Sequence, residues 1–180
     1  VLSSSGTDTY AALAAGIGSL KGPRHGGANI KVVEMLNYLK QDVSDITNEG
    51  QVADFLKNVI NRKAGDGSGL VYGMGHAVYT LSDPREKILK AEAESFAEKA
   101  GFGDEFKALS LIEELTPEIF AKEKGQNKKI CANIDLYSGL IYQMLRIPED
   151  LYTPLFAIAR VAGWSAHRIE ELIAGNRVIR

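Results

Sequence analysis

Apolar residues recur at intervals of three and four along most of this chain, which is the spacing of one buried face of an α-helix. The first helix is expected to start at Ser5 or Thr7, and Gly22 should stop it. The second should start near Ala28. Three apolar stripes support these helices and a third one: Tyr10, Leu13, Ala14 and Ile17; Val32, Met35, Leu36 and Leu39; Val52, Phe55, Leu56, Val59 and Ile60.

Later helices carry clearer start signals and one internal break. Asp83 suits the N-cap of a fourth helix, Pro84 its first position, and Glu86 a capping-box closure of the first turn. Proline lacks the backbone N–H that a helix interior needs. Pro117 should therefore separate two short helices, over residues 104–116 and 117–124.

The remaining segments complete an all-helical pattern. The stretch NIDLYSGLIYQMLRIP is apolar on almost all sides and predicts a buried helix. A last helix should run from Thr153 to about Gly175. Residues 64–82 lack helical period and are rich in glycine, so we expect a loop there. The fold class is predicted to be all-α, without internal repeats.

Charge and composition narrow the classes of partner. The 180 residues carry 21 basic and 23 acidic side chains, a net charge of −2, which argues against nucleic acid or an anionic membrane as the main partner. No apolar run reaches the roughly 18–20 residues of a membrane span. The single cysteine, Cys131, excludes an internal disulfide. We expect a cytoplasmic protein and, because the chain starts at Val1 rather than Met, a portion of something longer.

Two of the three histidines lie in glycine-rich junctions. His25 stands at the mouth of the second helix, where the partial positive charge of the helix end favours a neutral ring that can donate to a developing oxyanion. His76 follows Gly73 and Gly75, whose backbone N–H groups can line an anion or a cofactor. An exposed turn histidine is the alternative for each, but the repeated context favours function.

Asp135 lies among apolar neighbours at the start of the predicted buried helix. Burying an unpaired carboxylate is costly, and desolvation makes it a better base. The alternative is an N-cap, in which Asp135 or Asn133 binds backbone N–H groups.

Arginines supply candidate anion ligands. A cation at a helix start opposes the helix dipole, so Arg85 is better placed for an anionic ligand than for stability. Arg160 lies inside an apolar helix. For both arginines the alternative is a salt bridge or a stem that reaches solvent. No histidine or carboxylate pair has ligand spacing with Cys131, so we expect no metal.

Four segments together resemble citrate synthase, in the order and approximate spacing of that family: GPRHGGAN, YGMGHAVYTLSDPR, NIDLYSGLIY and PLFAIARVAGWSAHRIEEL. The resemblance covers the whole chain. It implies a mostly helical homodimer of two-domain subunits that condenses acetyl-CoA with oxaloacetate and hydrolyses citryl-CoA. It implies no tightly bound cofactor, because acetyl-CoA is a cosubstrate.

The resemblance also implies a role for each matching residue. Asp135 would remove the methyl proton of acetyl-CoA, His25 would hydrogen-bond the resulting enol oxygen, and His76 would polarise the oxaloacetate carbonyl. Arg85 and Arg160 would hold the carboxylates of oxaloacetate, and Arg180 would reach the site of the partner subunit. Backbone groups of the glycine-rich run would receive the adenine end of CoA, at Leu70, Val71, Tyr72, Gly73, Gly75 and Ala77.

Some family features have no counterpart in these residues. The oxaloacetate-binding histidine of the family's large domain would precede residue 1, and Thr80 stands where some members have a basic residue that contacts a CoA phosphate. The resemblance implies a large-domain helix and hinge over residues 1–27, the small domain over 28–141, and a return into the large domain over 142–180. We expect the chain on its own to be inactive.

Two alternatives stay open. One is a 2-methylcitrate synthase, which uses propionyl-CoA. The other is a helical CoA-binding module without turnover. The presence of His25, His76 and Asp135 together argues against the module, because binding alone requires no base.

Overall fold

The computed structural model describes residues 2–22, 27–125 and 129–175. These residues form seven α-helices, a 3-10 turn at each of two places, and no strand beyond one isolated antiparallel bridge between Met74 and Ala132. The all-α prediction is therefore confirmed. The helices are α1 (Thr9–Leu20), α2 (Ala28–Asp42), α3 (Glu49–Ile60), α4 (Pro84–Ala100), α5 (Gly103–Lys124), α6 (Asp135–Met144) and α7 (Tyr152–Ala174), and the 3-10 turns are Ser3–Ser5 and Glu149–Leu151.

The chain divides into two compact units. The central unit is Ala28–Pro148, which contains α2 to α6. The terminal unit joins Val1–Gly27 to Glu149–Arg180 and contains α1 and α7. The assignment of residues 1–27, 28–141 and 142–180 to the domains of a larger protein stays a prediction.

A continuous apolar core fills the central unit. The predicted stripes of α2 and α3 are buried throughout, and α5 and α6 pack against them with Leu109, Ile112, Leu136 and Leu140. A fully buried leucine or isoleucine side chain contributes about 1.5–3 kcal/mol. The core therefore provides a rigid support for the loops and helix ends that surround it.

Gly139 brings α6 directly onto α2. A Cβ atom at this position would lie 2.8 Å from Cγ2 of Val33 and 2.9 Å from the backbone oxygen of Asn29. Since the neighbouring backbone cannot move aside cheaply, only glycine allows this approach. The contact fixes the position of α6 and of Asp135 at its first turn.

The prediction of two helices around Pro117 is wrong, because α5 runs unbroken through it. Pro117 cannot donate to the carbonyl of Glu113, but the hydroxyl of Thr116 donates to the carbonyl of Ile112 at 2.5 Å, in the same turn. Ile112 before the proline and Ile119 after it are both buried in the same core. Tertiary packing on both sides outweighs the missing hydrogen bond.

The terminal unit packs α1 against α7. Gly16 lies against the ring of Trp164, and the guanidinium of Arg168 donates to the backbone oxygens of Ser3 at 3.2 Å and Thr7 at 2.6 Å. The N-cap of α1 is Asp8, whose carboxylate accepts from the N–H of Ala11 at 2.9 Å. The prediction of Ser5 or Thr7 is wrong because Ser5 belongs to the preceding 3-10 turn.

Candidate active site

A ladder of hydrogen bonds holds the glycine-rich loop on the segment that leads into α6. The N–H of Gly75 donates to the oxygen of Cys131 at 2.7 Å, and the N–H of Asn133 donates to the oxygen of Gly73 at 2.9 Å. The side-chain amide of Asn133 adds a bond of 2.7 Å to the oxygen of Gly75. His76 directly follows Gly75, and Asp135 lies two residues after Asn133. The ladder therefore places His76 and Asp135 on adjoining segments.

Gly73 makes the approach possible. Its φ of +80° lies in the left-handed region, and a Cβ atom there would stand 2.8 Å from Cα of Leu136. Any other side chain would push the loop away from the first turn of α6. Gly73, whose backbone the family resemblance assigns to CoA binding, therefore also has a packing role.

The ring of His76 is oriented by the loop that follows it. Its Nδ1 atom accepts from the backbone N–H groups of Val78 at 3.0 Å and Tyr79 at 3.1 Å. In the neutral ring the proton therefore lies on Nε2, which makes that atom a donor. Nε2 lies 3.5 Å from Nη2 of Arg85, and the side chain of His76 is exposed.

Asp83 holds Arg85 beside this histidine. The guanidinium donates from Nε to Oδ1 at 3.0 Å and from Nη2 to Oδ2 at 2.8 Å, which is a bidentate pair. Asp83 is buried, caps α4 by accepting from the N–H of Arg85, and also accepts from the N–H of Ile134. The hydrogen bond from Arg85 keeps the pKa of Asp83 below its usual value, and the same bond raises the pKa of Arg85.

The placement of Arg85 explains a conflict seen in the sequence. A cation at a helix start opposes the dipole, but here a buried carboxylate compensates it. The cap at Asp83 was predicted, and the salt-bridge alternative for Arg85 is confirmed, with Asp83 as the partner that the sequence did not name. The sequence signal for this contact is the spacing between Asp83 and Arg85, which are only two residues apart.

Tyr79 is a second residue that sequence reasoning missed. Its ring lies 4.8 Å from the ring of His76, and Cζ of Arg85 lies 5.4 Å from its centroid, within the range of a cation–π contact. Its backbone oxygen accepts from Sγ of Cys131 at 3.4 Å. The aromatic ring therefore contacts both the exposed imidazole of His76 and the half-buried guanidinium of Arg85.

Asp135 begins α6 and is half-buried. Its N–H donates to Oδ1 of Asn133 at 2.9 Å. The N-cap residue of α6 is Ile134, without a side-chain cap, so neither Asp135 nor Asn133 is the predicted N-cap. The charge of Asp135 contributes to the raised pKa of Arg85, after the larger effect of Asp83, and to that of Tyr142, after burial. Asp135 therefore shares one electrostatic environment with the anion-binding candidate.

The predicted CoA segment continues from this ladder along the loop. Leu70 and Ala77 are exposed, Gly73 is buried, and the others of the predicted set (Val71, Tyr72 and Gly75) are half-buried. The hydroxyl of Tyr72 donates to Asp66 at 2.6 Å, and the small cleft beside it, lined in part by Lys31 and Leu70, has a volume of only about 10 Å³. The loop thus offers backbone groups rather than a preformed pocket.

Three predicted site residues are not among the described residues of the central unit. His25 and Arg180 lie outside the described residues. Arg160 belongs to the terminal unit, where it is exposed and its Cζ lies 5.0 Å from the ring centroid of Phe156. Their implied roles stay predictions.

Two kinds of feature are absent from the described part of the chain. Within residues 2–22, 27–125 and 129–175, no group of three or more histidine, cysteine or acidic side chains could hold a metal ion. No helix in the same ranges is both long enough and apolar enough to cross a membrane.

Comparison with known proteins adds independent findings. The family model described as citrate synthase, C-terminal domain, matches residues 1–180. The chain is 41% identical over 180 residues to a citrate synthase of Synechocystis and 38% identical to one of Haloferax volcanii. Each alignment covers all of this chain but only 41% and 42% of the relative.

Solved structures give the same result. A citrate synthase of Thermotoga maritima superposes with a TM-score of 0.76 at 33% identity, over 99% of this chain and 44% of that one. A Thermoplasma acidophilum citrate synthase in a ternary complex with carboxymethyl coenzyme A and oxaloacetate superposes with a TM-score of 0.76 at 32% identity. That alignment covers 98% of this chain and 43% of the other. The chain therefore spans about two fifths of the proteins it matches.

Proposed function

Because this chain belongs to the citrate synthase family, we propose that it supplies one side of an active site that condenses acetyl-CoA with oxaloacetate. The observation that carries the proposal is the pair of donors formed by Nε2 of His76 and the guanidinium of Arg85, 3.5 Å apart. Asp135 lies in the same electrostatic environment. A base and a dicarboxylate-binding pair together are what this reaction requires.

Oxaloacetate would bind at the donor pair. Nε2–H of His76 would donate to the keto oxygen and withdraw charge from its carbon, while Arg85 would pair with a carboxylate. Because Asp83 is buried and already holds two nitrogens of the guanidinium, the orientation of Arg85 is set before substrate arrives. Such preorganisation lowers the cost of aligning a polar substrate.

Asp135 would act on acetyl-CoA. The methyl group of a thioester is a weak acid, so its deprotonation needs a positioned carboxylate on one side and a donor to the carbonyl oxygen on the other. We assign the first role to Asp135 and the second to His25. The enol carbon would then attack the polarised keto carbon, and water would cleave the citryl-CoA thioester to release citrate and CoA.

Further parts of the proposal concern the rest of the protein. The glycine-rich run from Leu70 to Ala77 would take the adenine end of CoA, and Arg160 and Arg180 would bind oxaloacetate carboxylates, Arg180 in the site of the partner subunit. We propose a cytoplasmic homodimer. Since the matched relatives are more than twice as long, the 180-residue chain on its own should not turn over.

A chimeric enzyme tests the proposal. This chain would replace the matching segment of the Synechocystis citrate synthase, and thiol release from acetyl-CoA plus oxaloacetate would be measured. We expect activity in the chimera, a fall of at least about 10²-fold with Asp135→Asn or His76→Asn, and none in the isolated chain.

The same assay separates the alternatives. The control is Asp104→Asn, at the exposed start of α5, which should leave the rate unchanged. A strong preference for propionyl-CoA over acetyl-CoA would favour the 2-methylcitrate synthase alternative. CoA binding with no thiol release from either donor, in a correctly folded chimera, would refute the catalytic function.

A further inference from the structure

Glu86 is a buried carboxyl that the reaction described above does not use. It follows Arg85 directly in the first turn of α4, and only 4% of the surface of Glu86 is exposed to solvent. Its Oε1 atom has no hydrogen-bond partner among residues 2–22, 27–125 and 129–175. The capping box that the sequence predicts does not engage this atom.

The surroundings of Glu86 are mainly acidic. Glu113 on α5 faces it, and Oε2 of that residue is already bound by Nζ of Lys90 at 2.8 Å and by the hydroxyl of Tyr137 at 2.6 Å. Lys90 is therefore engaged with Glu113. Asp83 is a further negative neighbour on the N-terminal side of α4.

The remaining charged and titratable neighbours of Glu86 do not offset the negative charge around it. Lys87 lies on the same helix. Burial is the main cause of the raised pKa values of Cys131 and Tyr137, and the charge of Glu86 adds a smaller increase to both. Burial is the main cause, and Glu113 the second, of a pKa of Glu86 raised to about 7. The neutral carboxyl is thus the form that suits this site.

We propose that Glu86 is a positioning residue for Arg85, and that its neutral carboxyl keeps the first turn of α4 closed so that Arg85 stays on Asp83 beside His76. The inference rests on the proposed function, because it concerns the residue that would bind oxaloacetate. It assigns a proton-dependent role to a side chain outside the reacting groups.

The physical reason lies in where an ionised Glu86 can go. A carboxylate in its present place would face Asp83 and Glu113 without a donor for Oε1, which is costly in a buried site. By this inference, an ionised Glu86 would rotate out to water with an opening of the first turn of α4. Asp83 and Arg85 both belong to that turn, so opening it separates the guanidinium from its carboxylate.

Nitrogen-15 NMR of the 180-residue chain tests this directly. The Nε–Hε signal of Arg85, assigned with Arg85→Lys, would be followed from about pH 5.5 to about pH 8.5. We expect a signal protected from exchange at low pH and lost as Glu86 ionises. Glu86→Gln should keep it protected across the range, and Glu114→Gln, at an exposed position of α5, should leave the wild-type transition unchanged.

The expected transition has one direction, because ionisation of Glu86 releases the guanidinium at high pH. If Glu86→Gln does not fold, Glu113→Gln replaces it. Removing that charge frees Lys90 for Glu86, so the transition should move to lower pH. A transition that persists in Glu86→Gln, does not move in Glu113→Gln, or is absent from the wild type overturns the inference.

The chimeric enzyme gives the functional reading of the same claim. The KM for oxaloacetate should rise through the transition while kcat changes less, and Glu86→Gln should flatten that rise by at least about threefold at the high end of the range. If the chimera never uses oxaloacetate but the NMR transition follows Glu86, the proposed function fails and the positioning inference stands. If oxaloacetate is used but its KM follows the same pH profile in Glu86→Gln, the inference fails and the function stands.

Discussion

The central and terminal units are built from helices of similar periodicity, but they bury their apolar residues to different extents. In the central unit the stripes of α2 and α3 are buried, and Leu56 is 0% exposed. In the terminal unit Tyr10 is 86% exposed and Ile158 70% exposed. Periodicity therefore predicts that a helix forms, whereas burial depends on which elements cover it.

The difference bears on the candidate active site. The contacts that orient His76 and Arg85 come from Asp83, Tyr79 and the loop of residues 131–133, all within the central unit. A self-contained core can hold such a geometry without help from other elements. We expect the central unit to be the cooperative folding unit, and the predictions below test this contrast from the largest effect to the smallest.

The same leucine truncation should have unequal effects in the two units. Leu56→Ala removes a completely buried side chain from α3 and should lower the free energy of unfolding by about 2–5 kcal/mol. Leu172→Ala, at a position of α7 that is 51% exposed, should change it by less than about 0.5 kcal/mol. Urea unfolding followed by circular dichroism measures both, and equal effects would contradict the contrast.

The stability of the central unit should fall as pH rises towards and through 7. Glu86 has a folded pKa of about 7 against an ordinary value of 4.5, so the folded state binds more protons than the unfolded state between these values. The contribution is complete below the lower value and lost as pH passes the upper one, up to about 3 kcal/mol in all. Unfolding by urea at several pH values should show this slope in the wild type and its removal in Glu86→Gln.

Two glycine-to-alanine changes in helices should have opposite signs. Gly139→Ala in α6 forces a methyl group against the backbone of α2 and should cost about 1–3 kcal/mol. Gly163→Ala in α7 meets nothing within 4 Å and should stabilise by about 0.5–1 kcal/mol through helix propensity. Thermal unfolding gives the sign of each, and a stabilising Gly139→Ala would show that α6 does not lie on α2 as described.

Local sequence signals predicted the helices well where the signal and its partner are close together. Asp83 and Pro84 give the start of α4, and the stripes give α2 and α3. Pro117 misled the prediction because long-range packing on both sides of α5 outweighs one missing hydrogen bond.

The candidate site was predicted only in part, for the same reason. Residue type and glycine context mark His76, Arg85 and Asp135 as candidates, and their roles stay proposals. Asn133 could not be assigned its role from sequence, because its amide binds Gly75, 58 residues away. The support from Tyr79 and the burial of Glu86 likewise depend on the fold.

The most direct test of the account is the tautomer of His76 in the 180-residue chain. Two-bond proton–nitrogen NMR of the three histidines, with His76→Asn for assignment, distinguishes a ring protonated on Nε2 from one protonated on Nδ1. We predict that the neutral ring carries its proton on Nε2, because two backbone N–H groups donate to Nδ1. A proton on Nδ1, or rapid averaging between the two nitrogens, would contradict the donor pair on which the proposed function rests.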